Sequence, residues 1–140
     1  MNFKEIFSKY SDQIYAIMRI AVGILFFSHG YQKAIRIVDG TFPTSNILMM
    51  GAAIIEFFGG LMIIFGWKTF WAAFICSGQM AVAYFKSHQP KDIWPIDNGG
   101  EKAAFYAFVF LFIAVYGAGI WSIDNLFDRK KNISRFNTTN

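Results

Sequence analysis

Ile47-Leu-Met-Met-Gly-Ala-Ala-Ile-Ile-Glu56-Phe-Phe-Gly-Gly-Leu-Met-Ile-Ile-Phe65 is an apolar run of helix length with a single charge at its centre. Crossing a bilayer takes about 20 such residues in helical form, so the run predicts a transmembrane span. A carboxylate at the middle of a span costs roughly 2.5–3.5 kcal/mol on insertion scales. Such a group faces a protein interior or a wet cavity and has a partner. Arg19 and His29, inside an earlier apolar run, are the first candidate partners for Glu56.

Composition agrees with a membrane setting. The 140 residues are 55% hydrophobic and 19% aromatic, with 17 Phe, above the usual apolar share of soluble domains. There is room for one domain and about four spans. The net charge of +4 could suggest nucleic acid. The cations instead collect at span ends and in Arg129, Lys130, Lys131 and Arg135, which is an orientation pattern, and no nucleic acid is expected. Cys76 is the only cysteine, so chemistry by a cysteine pair within this chain is excluded.

The fold class read from these patterns is all-α: an integral membrane four-helix bundle in one domain over residues 1–140. An amphipathic lead, Met1 to Ser11, is expected at the interface. Four transmembrane spans follow at about 12–37, 47–66, 70–88 and 101–120. Ser45 or Asn46 can cap the second span, and Trp67-Lys68-Thr69 makes a hairpin with the third. Residues 124–140 read as a polar, basic tail that frays. Lys4, Lys9, Lys68 and the tail share one side, against Lys33, Arg36, Lys86, Lys91 and Lys102 on the other. The bias favours cytoplasmic termini.

With that topology the loops 39–46 and 89–100 share the outer face. Arg19, His29 and Lys33 fall within about 80° of arc on the first span. Tyr84 and His88 lie one turn apart on one face of the third, and Asn98 and Glu101 stand above them. Polar groups of three helices can therefore converge in the outer half of a bundle. Gly59 and Gly60, with Ala52 and Ala53, form a small-residue face that lets helices approach closely. Phe105, Phe108 and Phe112 read as lipid-facing or core.

Five stretches, which make four motifs in order, together resemble the DoxX family. Arg19-Ile-Ala-Val-Gly-Ile-Leu-Phe-Phe-Ser-His-Gly-Tyr-Gln-Lys33 is similar to its first-helix signature, and Gly51-Ala-Ala-Ile-Ile-Glu-Phe-Phe-Gly-Gly60 to its second-helix motif. Ala83-Tyr-Phe-Lys-Ser-His-Gln-Pro90 and Asn98-Gly-Gly-Glu101 resemble the exit of its third helix and the entry to its fourth. Trp121-Ser-Ile-Asp124 resembles its closing segment. The resemblance spans Ile17 to Asp124. It implies a four-helix protein of the bacterial inner membrane with a link to redox chemistry. Family members include a subunit of a thiosulfate–quinone oxidoreductase and proteins tied to quinone or oxidative stress. The site residues it carries over are Arg19, His29, Lys33, Glu56, His88, Asn98 and Glu101.

The functional expectation is a redox-linked, quinone-binding membrane subunit. Glu56, His29 and Arg19 are the candidate catalytic, proton-handling groups, since quinone reduction takes up protons with electrons. His29, Lys33, Tyr84, His88, Asn98 and Glu101 are the candidate cofactor-binding groups. No flavin, nicotinamide or iron–sulfur motif is present, so electrons would come through a redox partner protein. His29 and His88 invite haem b, but there is no CxxCH and His88 sits shallow, so haem is disfavoured. No metal site is expected, because no paired ligand spacing supports one. The competing reading of Glu56 is a structural ion pair that sets helix register. The competing reading of the protein is a non-enzymatic scaffold or assembly protein, or a small transporter component. The lipid bilayer is the expected surrounding partner, and a homodimer stays open.

Overall fold

In the structure, a computed structural model, residues 2–137 are described, with side chains as far as Lys130. Six helices account for most of that length, and no strand occurs among the described residues. Helix α1 is Phe3–Lys9 and α2 is Ser11–Val38. Helix α3 is Ile47–Phe65, with one π-helical turn, Ile55–Gly59, at its middle. Helix α4 covers 69–88, with Thr69–Ala83 in α form and a π-helical turn, Tyr84–His88, at its end. Helix α5 is Glu101–Tyr116 and α6 is Ile123–Asn137. Two of these, Ser11–Val38 and Ile47–Phe65, are long and apolar enough to cross a membrane.

The helix ends follow local chemistry. Asn46 caps α3, its side-chain oxygen accepting from the amides of Leu48 (3.1 Å) and Met49 (3.2 Å). Gly66 closes α3 in the left-handed region at φ 62°, a conformation that glycine adopts without the Cβ penalty. Asp124 then starts α4 from a distance in sequence. Its carboxylate accepts from the amides of Lys68 and Thr69 and from the Thr69 hydroxyl, each at 2.8 Å. A carboxylate at a helix N-terminus satisfies orphan amides and suits the helix dipole.

Two ends differ from the expectation. The fourth long helix stops at Tyr116, not near 120, because Gly117 takes φ 94° and the Tyr15 hydroxyl donates to its carbonyl (2.5 Å). Residues 123–137 form a helix in place of the expected fraying tail. Ser122 starts it, its hydroxyl accepting from the Asn125 amide at 3.2 Å. Residues 138–140 of that expected tail lie outside the described residues.

Small residues pack inside beside a few large ones, and most of the large apolar side chains face outward. Ala73 and Cys76 are fully buried, whereas Phe108 is 73% and Val115 80% exposed. Phe105 and Phe112 also face outward. The core joins Phe26, Ile63, Ala72, Tyr106, Phe110 and Ile113 to those small residues. Outward aromatic and branched chains on every long helix suit a hydrocarbon surrounding, and small inward residues let the backbones close together. A Cβ on Gly60 would lie 2.7 Å from the Phe27 amide nitrogen, and one on Gly59 would meet the Cys76 sulfur. These two glycines therefore hold α3 against α2 and α4, as the small-residue face predicts. Helix α4 packs along α5, and α2 along the second half of α3.

Candidate functional site

Helices α2 and α3 run in opposite directions. In each, side chains tilt back toward the helix N-terminus. Lys33 therefore leans back along α2 toward Gly30, and Glu56 leans back along α3 toward Ile47. They meet: Lys33 Nζ lies 2.5 Å from Glu56 Oε1 in the one salt bridge among the described residues. Gln79 of α4 donates to the same oxygen at 3.3 Å. Glu56 is 5% exposed, and its other oxygen, Oε2, has no hydrogen-bond partner, nor does Gln79 Oε1. Three helices thus converge on one carboxylate.

Gly30 makes this approach possible. A Cβ there would lie 2.7 Å from the Glu56 carbonyl carbon and would also strike the Phe57 amide nitrogen. Helix α2 touches the π-helical turn of α3 at that point, three residues before Lys33 on the same face. The π turn carries Glu56 itself. Such turns are rare and cluster at functional sites.

The pair sits on the wall of a cavity of about 970 Å³. Phe26, His29 and Lys33 of α2 border it, with Ala52 and Ile55 of α3, Gly78 and Gln79 of α4, and Ala103 and Tyr106 of α5. The cavity exists because the first half of α3 packs on α2 and makes no extensive contact with α4. Lys86, Ser87 and His88, on the second π turn, border it as well, as does Lys102. Its walls are mainly apolar, and one polar cluster lies within it. Ligand sites commonly combine those two features.

The sequence-derived candidates sort as follows. Glu56, His29, Lys33 and His88 share the cavity. His29 makes no protein hydrogen bond among the described residues and stands edge-on to the Tyr106 ring, centroids 6.4 Å apart. The expected pairing of Glu56 with Arg19 or His29 is replaced by the pairing with Lys33. Arg19 lies toward the other end, fully buried, where it donates to the carbonyls of Ile63 (2.5 Å), Ile64 (2.8 Å) and Trp121 (2.9 Å). Those α3 carbonyls stand about 10–12 Å along the helix from Glu56. Arg19 thus satisfies a helix C-terminus and ties it to the loop before α6, and it does not snorkel to solvent.

Tyr84 and Asn98 are taken up by the loop between α4 and α5. Asn98 Nδ2 donates to the Asp92 carbonyl (2.8 Å) and the Tyr84 hydroxyl (3.4 Å), while its Oδ1 accepts from the Gly100 amide (2.7 Å). Asn98 therefore folds the turn ahead of α5 and does not cap the helix itself. His88 Nδ1 is 3.2 Å from the Asn98 carbonyl oxygen, which fastens the loop to the end of α4. Glu101 is exposed on the first turn of α5, outside the cavity lining. Sequence reasoning missed Gln79 and Tyr106. Gln79 had a signal, being the one side-chain amide in the apolar stretch of α4. Tyr106 was hidden among the phenylalanines of α5.

The fold and site define a small all-α protein of membrane character with a part-buried ion pair at an interhelical cavity. The family model for DoxX matches residues 14–89, and the chain belongs to the DoxX family. It is 36% identical over 129 residues to an uncharacterized protein of Haemophilus influenzae, covering 87% of this chain and 96% of that one. No solved structure matches significantly.

Proposed function

We propose that this DoxX protein is a four-span protein of the bacterial inner membrane, with cytoplasmic termini, that binds a quinone between its helices as the membrane subunit of a redox system. The observation that carries this reading is the Lys33–Glu56 pair at the wall of a largely apolar cavity. A volume of about 970 Å³ suits an amphipathic ring with part of its tail. The residues present fit the group: Lys33, His29 and the Tyr106 hydroxyl are donors for ring oxygens. The Tyr106 hydroxyl hydrogen-bonds to nothing among the described residues. A quinone, when bound, supplies two-electron, two-proton redox chemistry.

The chain's own part is to place and to exchange protons. Lys33 Nζ holds the carboxylate from one side and Gln79 Nε2 from another, which leaves Glu56 Oε2 as the free oxygen able to take or release a proton. The apolar walls keep bulk water from competing with those contacts. Electrons are brought or removed by a partner protein, and the outer loops 39–46 and 89–100 are the surfaces nearest the cavity mouth.

Equilibrium dialysis of the purified protein in nonionic detergent against 2-methyl-1,4-naphthoquinone tests this directly. Saturable binding near one per chain is expected, and Gly78→Leu, at a residue that borders the cavity, weakens it by more than about tenfold. Absence of saturable binding to the unaltered protein overturns the proposal.

A further inference from the structure

The charges around the cavity do not balance. Lys33, Lys86 and Lys102 line it together with His29 and His88, and Glu56 is the one carboxylate in that lining. Glu56 is already matched by Lys33. Neither Lys86 nor Lys102 forms a salt bridge among the described residues. The acidic groups of the neighbouring loops, Asp39, Asp92 and Asp97, are outside the lining, and Asp92 accepts from the Trp94 amide instead. Glu101, next to Lys102 in sequence, is exposed and unpaired. The apolar walls of α3 and α4 therefore end in two ammonium groups without an acidic partner.

A neutral ring leaves that surplus unanswered. Resting on the quinone reading above, we infer that the cavity selects quinones whose ring carries an ionised acidic group, such as an enolic hydroxyl, over neutral quinones of the same size. The apolar part of the ligand lies against Ile55, Phe74 and Ile75, and its anionic edge faces Lys86 and Lys102, which border the same cavity. Both ammonium groups stand at the exposed end of those walls, where they attract an anionic ring edge across a short distance. Charge complementarity of this kind discriminates between ligands that shape alone does not separate.

The test compares 2-hydroxy-1,4-naphthoquinone, ionised at neutral pH, with neutral 2-methyl-1,4-naphthoquinone by equilibrium dialysis of the full chain in nonionic detergent. Dodecanoate serves as a competitor. The hydroxylated ring is expected to bind about tenfold more tightly, a difference of about 1.4 kcal/mol. The double variant Lys86→Gln/Lys102→Gln removes that preference while leaving the neutral ring's affinity unchanged. Lys86→Arg/Lys102→Arg restores it. Both lysines are exposed, and an unaltered size-exclusion profile confirms that the variants fold. Equal affinities in the unaltered protein, or a preference that survives the glutamine variant, overturn the inference and leave the quinone reading standing. Binding of neither ring overturns both. Displacement by dodecanoate at the hydroxyquinone's own concentration overturns the choice of a ring as occupant, because charge and tail then suffice.

Discussion

Lys33 and Glu56 stand on antiparallel helices, and their side chains lean toward each other to close a 2.5 Å ion pair. Glu56 is the more buried partner, 6% exposed at the side chain against 28% for Lys33. Removing the lysine therefore leaves an uncompensated carboxylate inside the bundle. Such truncations cost about 3–5 kcal/mol, and about 3 kcal/mol is expected for Lys33→Met because that side chain keeps some exposure. Lys33→Met/Glu56→Leu recovers most of the loss, since replacing both partners by apolar groups removes the stranded charge. Denaturant unfolding in detergent, read as a double-mutant cycle, measures the coupling. Additive losses would show that the two residues do not act as a pair.

Gly30→Ala tests the geometry that allows the pair to form. The added methyl meets backbone, the Glu56 carbonyl carbon at 2.7 Å and the Phe57 amide, and backbone has no rotamer with which to yield. Helix α2 must move off the π turn. Overpacking of this kind typically costs about 1–3 kcal/mol. This variant weakens ligand binding through displacement of α2, with the Lys33 and Glu56 side chains both still present. An alanine tolerated with unchanged stability and binding would mean that the two helices approach less closely than described.

Much of this fold is legible in the sequence, for reasons tied to particular residues. The apolar run of α3 is bounded by Asn46, a strong cap, and by Gly66, a left-handed stop, so its existence and limits follow from composition and end chemistry. The partner of Glu56 is harder to read. His29 and Lys33 lie one turn apart on the same face, and Cα depth alone favours His29. The direction in which helical side chains tilt decides for Lys33, and it sends Arg19 away from Glu56. The π turn at Ile55–Gly59 leaves no mark in a run that is apolar on all sides. It shifts the facing of everything after it, so the azimuth of Glu56 could not be counted from Ile47. The helix at Ile123–Asn137 was hidden for another reason: its polar sequence reads as a tail until Ser122 is seen at its start.

Gly78→Leu separates the cavity from the fold. A Cβ at Gly78 has nothing within 4 Å, and the residue borders the cavity. The first carbon of the larger side chain therefore meets no packed atoms. Replacing a glycine inside a helix removes an entropic penalty of about 0.5–1 kcal/mol, so stability is expected to stay level or rise slightly. Ligand binding is expected to fall by more than about tenfold, which corresponds to about 1.4 kcal/mol. Equilibrium dialysis and thermal unfolding on the same preparation check both halves. Intact binding in this variant would place the ligand elsewhere.

Arg19→Leu is expected to act in the opposite sense, on stability and not on the ligand. Its guanidinium is fully buried and answers the carbonyls of Ile63, Ile64 and Trp121. The Ile63 carbonyl keeps the Gly66 amide, while those of Ile64 and Trp121 lose their donor; at about 1–3 kcal/mol for each unanswered carbonyl, a loss of about 2 kcal/mol or more is expected. Arg19→Lys recovers part of it, because an ammonium can reach fewer of the three oxygens than the fork of the guanidinium. The affinity of the remaining folded protein for 2-methyl-1,4-naphthoquinone should match the unaltered chain, since Arg19 stands at the far end of α3 from the cavity. A stable Arg19→Lys protein with weakened quinone binding would return Arg19 to the ligand site and break the division of labour between the two ends of the bundle.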